Sequence, residues 1–173
     1  MACNLTQGFT QGCKDSTGGI KKLFFANYDP NTYTVTTNAT GTVTSIEDGT
    51  ATKVTMYTYE CVKETSNATE TINVSVPNGT VVYEQSVVYA LNKTEQDKRN
   101  EVKLLAQARL WVVVQDQNDN YWFYGEVNGL DMSGDSQIQI GQAYSDRNGY
   151  NLTFNGMEPE PARLVLSTAF TAS

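Results

Sequence analysis

Glu158 and Glu160 are the closest approach to catalytic chemistry in this chain, because a pair of carboxyl groups is what glycoside hydrolysis requires. Both lie in Glu158-Pro159-Glu160-Pro161, where the prolines impose a stiff, extended backbone. The segment is read as a solvated linker that holds its side chains on a surface. Asp116, Asp119, Asp131, Asp135 and Asp146 suggest calcium, but none follows the alternating ligand spacing of the common calcium loop. They are read as turn residues that bond their own backbone. Histidine is absent, and with it go the commonest general base, the usual partner of a Ser or Cys nucleophile and the commonest metal ligand. Cys3, Cys13 and Cys61 fit no zinc motif and are odd in number, so they are read as reduced structural thiols. Gly18-Gly19 precedes a strand rather than a helix and lacks a phosphate-loop pattern, which leaves the role of a flexible hinge. The expectation is a non-enzyme with no catalytic residue, no metal ligand and no cofactor.

The elements around these residues are β-rich. Ten Tyr, six Phe and two Trp, set among many Val and Thr, favour pleated, half-buried strands. The 173 residues suit one domain spanning 1–173 with a single core. A net charge of −7 argues against sequence-specific DNA binding, since phosphates would be repelled. Met1 to Thr10 shows no basic region followed by an apolar stretch, so synthesis in a cytoplasm is expected. No apolar run approaches the ~20 residues that span a bilayer, and no membrane partner is expected.

Along the chain, residues 1–18 are polar and read as a tethering arm, followed by a first strand from Ile20 through Leu23, Phe24 and Phe25. Asp29 to Thr50 reads as a long polar loop, and such loops are usually functional or mobile. Thr52 to Glu60 alternates Val54 and Met56 against Tyr57 and Tyr59, while Thr69 to Val76 sets Ile72, Val74 and Val76 on one face. Pro77-Asn78-Gly79 is a turn into a third run, Thr80 to Leu91, so two or three adjacent antiparallel strands are expected. A helix is predicted over about 94–108, capped by Asn92 or Thr94, with Val102, Leu105, Ala106 and Ala108 facing a sheet. Arg109 to Gln115 and Asn120 to Val127 form a hairpin anchored by Trp111, Trp122 and Phe123. Ser136 to Ala143 and Tyr150 to Phe154 form a second hairpin, and Arg163 to Ser167 adds a last strand.

The order of certain motifs resembles the tail tube proteins of tailed bacteriophages, especially those of phages infecting Bacteroides-like hosts. The similar segments are Cys3-Asn4-Leu5, Asp15-Ser16-Thr17-Gly18-Gly19-Ile20-Lys21, Leu104-Leu105-Ala106-Gln107-Ala108 and Tyr121-Trp122. Asn128-Gly129-Leu130, Ser133-Gly134, Asp146-Arg147-Asn148-Gly149-Tyr150, Leu152-Thr153-Phe154 and Glu158-Pro159-Glu160-Pro161-Ala162 complete the pattern. Asp29 to Thr80 has no counterpart in it. The resemblance implies an antiparallel β-sandwich or barrel with one flanking helix, forming hexameric rings that stack into a hollow tube. Its partners would be copies of itself and other tail or portal and adaptor proteins. Genomic DNA would pass through without specific binding, and the protein would reside in the virion. Strands 51–60 and 69–76 are the candidates for subunit contact and the channel wall. The expected interface residues are Val54, Met56, Tyr57, Tyr59, Ile72 and Val74, with Asp29, Tyr33, Gly18 and Gly19 in the bridging segments. Alternatives are another virion component, such as a tail terminator, completion or head decoration protein, and a carbohydrate-binding β-sandwich.

Overall fold

The computed structural model describes residues 4, 5 and 7–173; Cys3 and the first residues of the expected arm lie outside the described residues. In chain order the elements are β1 (Ile20–Asn27), β2 (Thr34–Thr37), β3 (Val43–Glu47), β4 (Thr55–Glu60), β5 (Asn67–Ser75), β6 (Thr80–Asn92) and α1 (Gln96–Gln107). There follow β7 (Leu110–Asp116), β8 (Tyr121–Tyr124), β9 (Asp131–Met132), β10 (Gln137–Gln139), β11 (Gly149–Glu158), β12 (Arg163–Val165) and β13 (Thr171–Ala172).

The antiparallel pair β1 and β7 lies at the centre, with Phe24 opposite Val113 and Ala26 opposite Trp111. Their apolar runs, Leu23 to Ala26 and Leu110 to Val114, are buried throughout. Successive side chains point to opposite faces of a strand, so an unbroken apolar run means that both faces are covered. One face carries Leu23, Phe25, Val112 and Val114, which pack against Val87, Tyr89, Leu152 and Phe154 of the second sheet. The other carries Phe24, Ala26, Trp111 and Val113, which pack with Val43, Ile46, Met56 and Phe170.

This arrangement follows from the sheet order. The larger sheet runs β13-β4-β1-β7-β8-β12-β3-β2, and the smaller runs β10-β11-β6-β5 with β9 added to β11. The larger sheet curls until its ends meet. The Val54 N–H donates to the Ile46 carbonyl, and the Ile46 N–H donates to the Ala169 carbonyl, each at 2.9 Å. The curled sheet encloses one core, and the smaller sheet and Leu105 of α1 close the other. The architecture is therefore the expected mainly β sandwich or barrel with one flanking helix.

Several local expectations are corrected. The polar segment 29–50 is not a loop: it holds the hairpin β2–β3, with Val43 and Ile46 fully buried. Its register shifts between Thr36 and Thr37, opposite Ser45 and Val43, and this bulge turns both Val43 and Ile46 toward the core. The pattern therefore hides from a period-two reading. β4 does not join β5 and β6 but pairs with β1 in the larger sheet. α1 is shorter than 94–108. Glu95 stands at its N-cap without a side-chain cap, because the Thr94 hydroxyl donates to Asn148 Oδ1 at 2.7 Å in the neighbouring turn. Ala106 is exposed, leaving Leu105 as the buried contact with Val102 and Ala108 half-buried. The strand expected over 136–143 ends at Gln139. Beyond it Gly141 takes a φ of +79°, and Asp146 accepts the Gln142 and Ala143 N–H groups in a turn.

β6 and β11 pack so closely that Gly149 admits no side chain. A Cβ there would collide with the Leu91 carbonyl oxygen and come within 3.0 Å of Asn92 Cα, both backbone atoms. Gly149→Ala should therefore destabilise the protein by about 1–3 kcal/mol, the usual cost of overpacking. The measurement is a lowered urea midpoint at unchanged m-value, and an unaltered midpoint would contradict the packing described.

Candidate assembly surfaces

β5 and β6 form a ribbon that outruns the body of the protein. Ile72 pairs with Tyr83 and Val74 with Val81, whereas the neighbouring β11 stops at Glu158, opposite Tyr83. Along β6 the residues Gln85, Val87 and Tyr89 face the core. Val81 and Tyr83 continue the same face by the two-residue repeat, and Ile72 and Val74 lie on it from the other strand, with Val76 in the turn just beyond. Among the described residues nothing covers this extension: Ile72 is 59 %, Val74 62 % and Val76 85 % exposed. The opposite face is more polar: beside Val82, Asn73 Nδ2 donates to Glu84 Oε2 at 3.2 Å. β5 is also the outer strand of its sheet, so one row of its backbone N–H and C=O groups is unpaired. Its nine residues contain neither Lys nor Pro, the residues that commonly blunt such an edge.

The other expected contact residues are distributed differently. Val54 and Met56 are in the core, 3 % and 0 % exposed, so a neighbour cannot reach them and a charge there would break the fold. Tyr57 is exposed on the opposite side of β4. Tyr59 is half-buried and donates its hydroxyl to Glu101 Oε1 at 2.9 Å. Burial, and then Glu101, push its phenol above the ordinary range. Asp29 accepts the Asn31 and Thr32 N–H groups, an Asx turn at the start of the segment. Its bonds to Thr32 hold its carboxyl below the usual value. Tyr33 stacks edge-on against Trp111 at 6.4 Å and so supports the core.

Gly18 and Gly19 are not a free hinge. The Gln117 N–H donates to the Gly19 carbonyl at 3.0 Å. Asn118 exchanges two bonds of 2.9 Å with the Thr17 backbone. Gly19 takes a φ of +111°, a conformation that suits glycine. Asp116 holds this turn by accepting from the Asn118 and Asn120 N–H groups and from Trp122 Nε1. The arm is thus fastened at residues 17–19, while its preceding described residues are exposed, Leu5 and Phe9 almost completely. Cys13 is exposed and Cys61 half-buried, both as free thiols; burial pushes the Cys61 thiol up.

Glu158 corrects the linker reading, being 2 % exposed. Its Oε2 and Oε1 accept the Val127 and Asn128 N–H groups at 3.1 and 2.9 Å. Glu160 remains outside and pairs with Arg163, which also reaches Glu126 Oε1 at 3.0 Å. Gln85 is buried beside them, accepting the Gly125 N–H at 2.8 Å and donating to Glu70 Oε2 at 3.0 Å. The same Glu70 oxygen accepts the Ala162 N–H. These polar groups stitch the 125–130 turn and the end of β11 to the base of the ribbon. The Pro-rich flank hid Glu158 by suggesting exposure, whereas the β11 parity of Tyr150, Leu152 and Phe154 points it inward. Among the described residues no three His, Cys, Asp or Glu side chains gather into a possible metal cage. Comparisons with protein-family models, curated proteins and solved structures find no match.

Desolvation raises the Glu126 and Glu158 carboxyls above their ordinary value of 4.5. The native chain therefore holds these protons to higher pH than the unfolded chain, and stability falls as pH rises from 4.5 through the raised values. The Asp29, Asp48 and Asp116 carboxyls are lowered and act in the window below their ordinary 3.8. Glu126→Gln should flatten the decline above 4.5, read from urea midpoints across mildly acidic to neutral pH. An unchanged slope would refute the raised carboxyl of half-buried Glu126.

Proposed function

We propose that this protein is a structural virion subunit of the tail-tube type, which forms hexameric rings stacked into a hollow tube for DNA passage. The observation that carries the reading is the β5–β6 ribbon, on which an unpaired strand edge and an uncovered apolar face coincide. Another copy can add strands to the edge and cover Ile72, Val74, Val76 and Val81 at once. Burial of such side chains contributes about 1 kcal/mol or more each by the usual area scaling. An edge that would be a hazard on a solitary protein becomes a joint when the neighbour is specified.

The ring number and the tube come from the motif resemblance, and the electrostatics are compatible with them. A net charge of −7 gives an acidic assembly from which phosphates are repelled, so DNA slides without adhering. Other tail or portal and adaptor proteins are the partners at the ends of such a tube. No cofactor is needed, and the carboxyls withdrawn from solvent already have partners: buried Glu158 is occupied by backbone N–H groups and half-buried Glu126 by Arg163.

Ile72→Asp combined with Val74→Asp tests the reading. Both side chains are more than half exposed, so the folded monomer should lose no more than about 0.5 kcal/mol per site, as for ordinary surface substitutions. The variant should sediment as a monomer under conditions in which the unaltered chain forms rings and tubes visible by negative-stain microscopy. Tubes of normal appearance from the double variant would refute the ribbon as the joint. A copy number in purified particles too low for a tube would favour a terminator.

A further inference from the structure

Asn-Gly pairs occur at Asn78-Gly79, Asn128-Gly129, Asn148-Gly149 and Asn155-Gly156. Asparagine is a thermolabile residue, and a following glycine puts no side chain in the way of its own amide nitrogen. The fold treats these pairs differently. Asn128 Nδ2 donates to the Met157 carbonyl at 2.7 Å, its N–H donates to Glu158 Oε1 at 2.9 Å, and the Gly129 N–H donates to the Gly125 carbonyl at 3.1 Å. Asn148 Oδ1 accepts the Thr94 hydroxyl at 2.7 Å, and Gly149 is pressed against the backbone of Leu91. Asn155 and Gly156 lie inside β11, opposite Ser86 and Gln85 of β6, with Asp131 of β9 across from Asn155 on the other side. Asn78 and Gly79 stand apart from these. They occupy the exposed turn 76–79 at the tip of the ribbon, where Gly79 takes a φ of +63° with open space where a side chain would be. The Gly79 N–H makes a long bond of 3.3 Å to the Val76 carbonyl.

We infer that Asn78 is a site of spontaneous covalent modification in the folded chain, where water alone converts its amide to a carboxylate. The Gly79 nitrogen, once its proton passes to hydroxide, attacks Asn78 Cγ; an N–Cγ bond forms, the Cγ–Nδ2 bond breaks and ammonia leaves. The product is a cyclic succinimide. Water then adds to either of its carbonyls, and the ring opens to aspartate or to isoaspartate, in which the main chain runs through the side-chain carbonyl. The net exchange consumes a water and releases an ammonia, with no oxidant, reductant or enzyme. Closing the ring requires the asparagine side chain and the following nitrogen to swing together. An exposed turn permits that motion, whereas a strand paired along both edges, or an asparagine held by hydrogen bonds, resists it. Each event adds a negative charge to a chain already at −7, beside Val76, which is 85 % exposed. Isoaspartate also lengthens the backbone of the turn by a methylene, and the Asn-Gly geometry that suits a tight hairpin is lost. The ribbon is thus the part of the fold whose covalent structure ages first. The chemistry needs only the folded monomer, so it stands independently of the assembly proposed above.

The test incubates the folded full chain in mildly alkaline buffer made with heavy-oxygen water and locates the label by tandem mass spectrometry. Asn78 should take up heavy oxygen at least tenfold faster than Asn128, Asn148 and Asn155, at a rate proportional to hydroxide. In guanidinium chloride the same sites keep their glycine neighbours without the fold, and they should convert at similar rates. Asn78→Gln should remove the fast phase of ammonia release, because glutamine must close a larger ring, while leaving the urea midpoint unchanged. Absence of label at Asn78 in the folded chain would overturn the inference, as would equal rates at all these sites or faster conversion at another of them. A fast phase that survives in the Asn78→Gln variant would do the same. So would an equally wide spread of rates in the unfolded chain, since local sequence rather than the exposed turn would then set the order.

Discussion

The antiparallel pairing of β1 with β7 is the interaction on which the molecule depends, because it sends buried side chains from both of its faces into both cores. Phe25 and Val112 support the inter-sheet side, and Phe24 and Val113 the interior of the curled sheet. The aromatic rings extend this coupling: Phe25 lies 5.1 Å from Phe154 of the smaller sheet, and Phe24 lies 5.2 Å from Phe170 within the barrel. Such pairs add about 0.5–1.5 kcal/mol beyond simple burial. A disturbance at the centre is therefore felt on both sides, whereas the arm and the outer ribbon can vary without loosening either core.

This division explains why the surfaces proposed for assembly can be apolar without compromising the subunit. The base of the ribbon is fixed by buried polar contacts, with Gln85 and Glu70 tying β6 and β5 to Gly125 and Ala162. A buried polar group is tolerated when its hydrogen bonds are made, and these bonds mark where the body stops and the free ribbon starts. The opposite end of β1 repeats the logic. Asp116 and Asn118 use turn hydrogen bonds to hold the arm's root, so freedom is restricted to the residues before it.

Much of the architecture was legible because periodicity and composition agreed. Leu110 to Val114 and Thr80 to Leu91 read as strands, Trp111 and Phe123 as core, and the helix around Leu105 as a helix. What could not be read were features created by tertiary context. The bulge in β3 brings Val43 and Ile46 to the same side, which no simple alternation announces. Val54 and Ile72 look alike as β-branched strand residues, yet one is enclosed by the curl of the larger sheet and the other stands beyond the smaller one. Glu158 sits beside two prolines but belongs by parity to the inward face of β11, where the Val127 and Asn128 N–H groups await a carboxylate. Ile72 and Val74 were read on one strand face, and that they stand exposed beside a free sheet edge emerges from the strand order alone.

The seam of the curled sheet bears on how the chain is made. Its closure uses the Ala169 carbonyl and the Thr171 N–H, bonded to Ile46 and Val54, and Phe170 fills the interior they enclose. These groups follow every other strand of the barrel in sequence, so on a ribosome the interior stays unsealed until translation has passed them. The β5–β6 ribbon emerges some eighty residues earlier on this count, sticky and already hairpin-shaped. In a nascent chain the apolar face of the ribbon is thus exposed before the barrel can shut, a period in which exposed apolar strands invite misassociation. Spacing between ribosomes, or a chaperone that shields residues 67–92, would govern the yield of competent subunits as much as the stability of the finished fold.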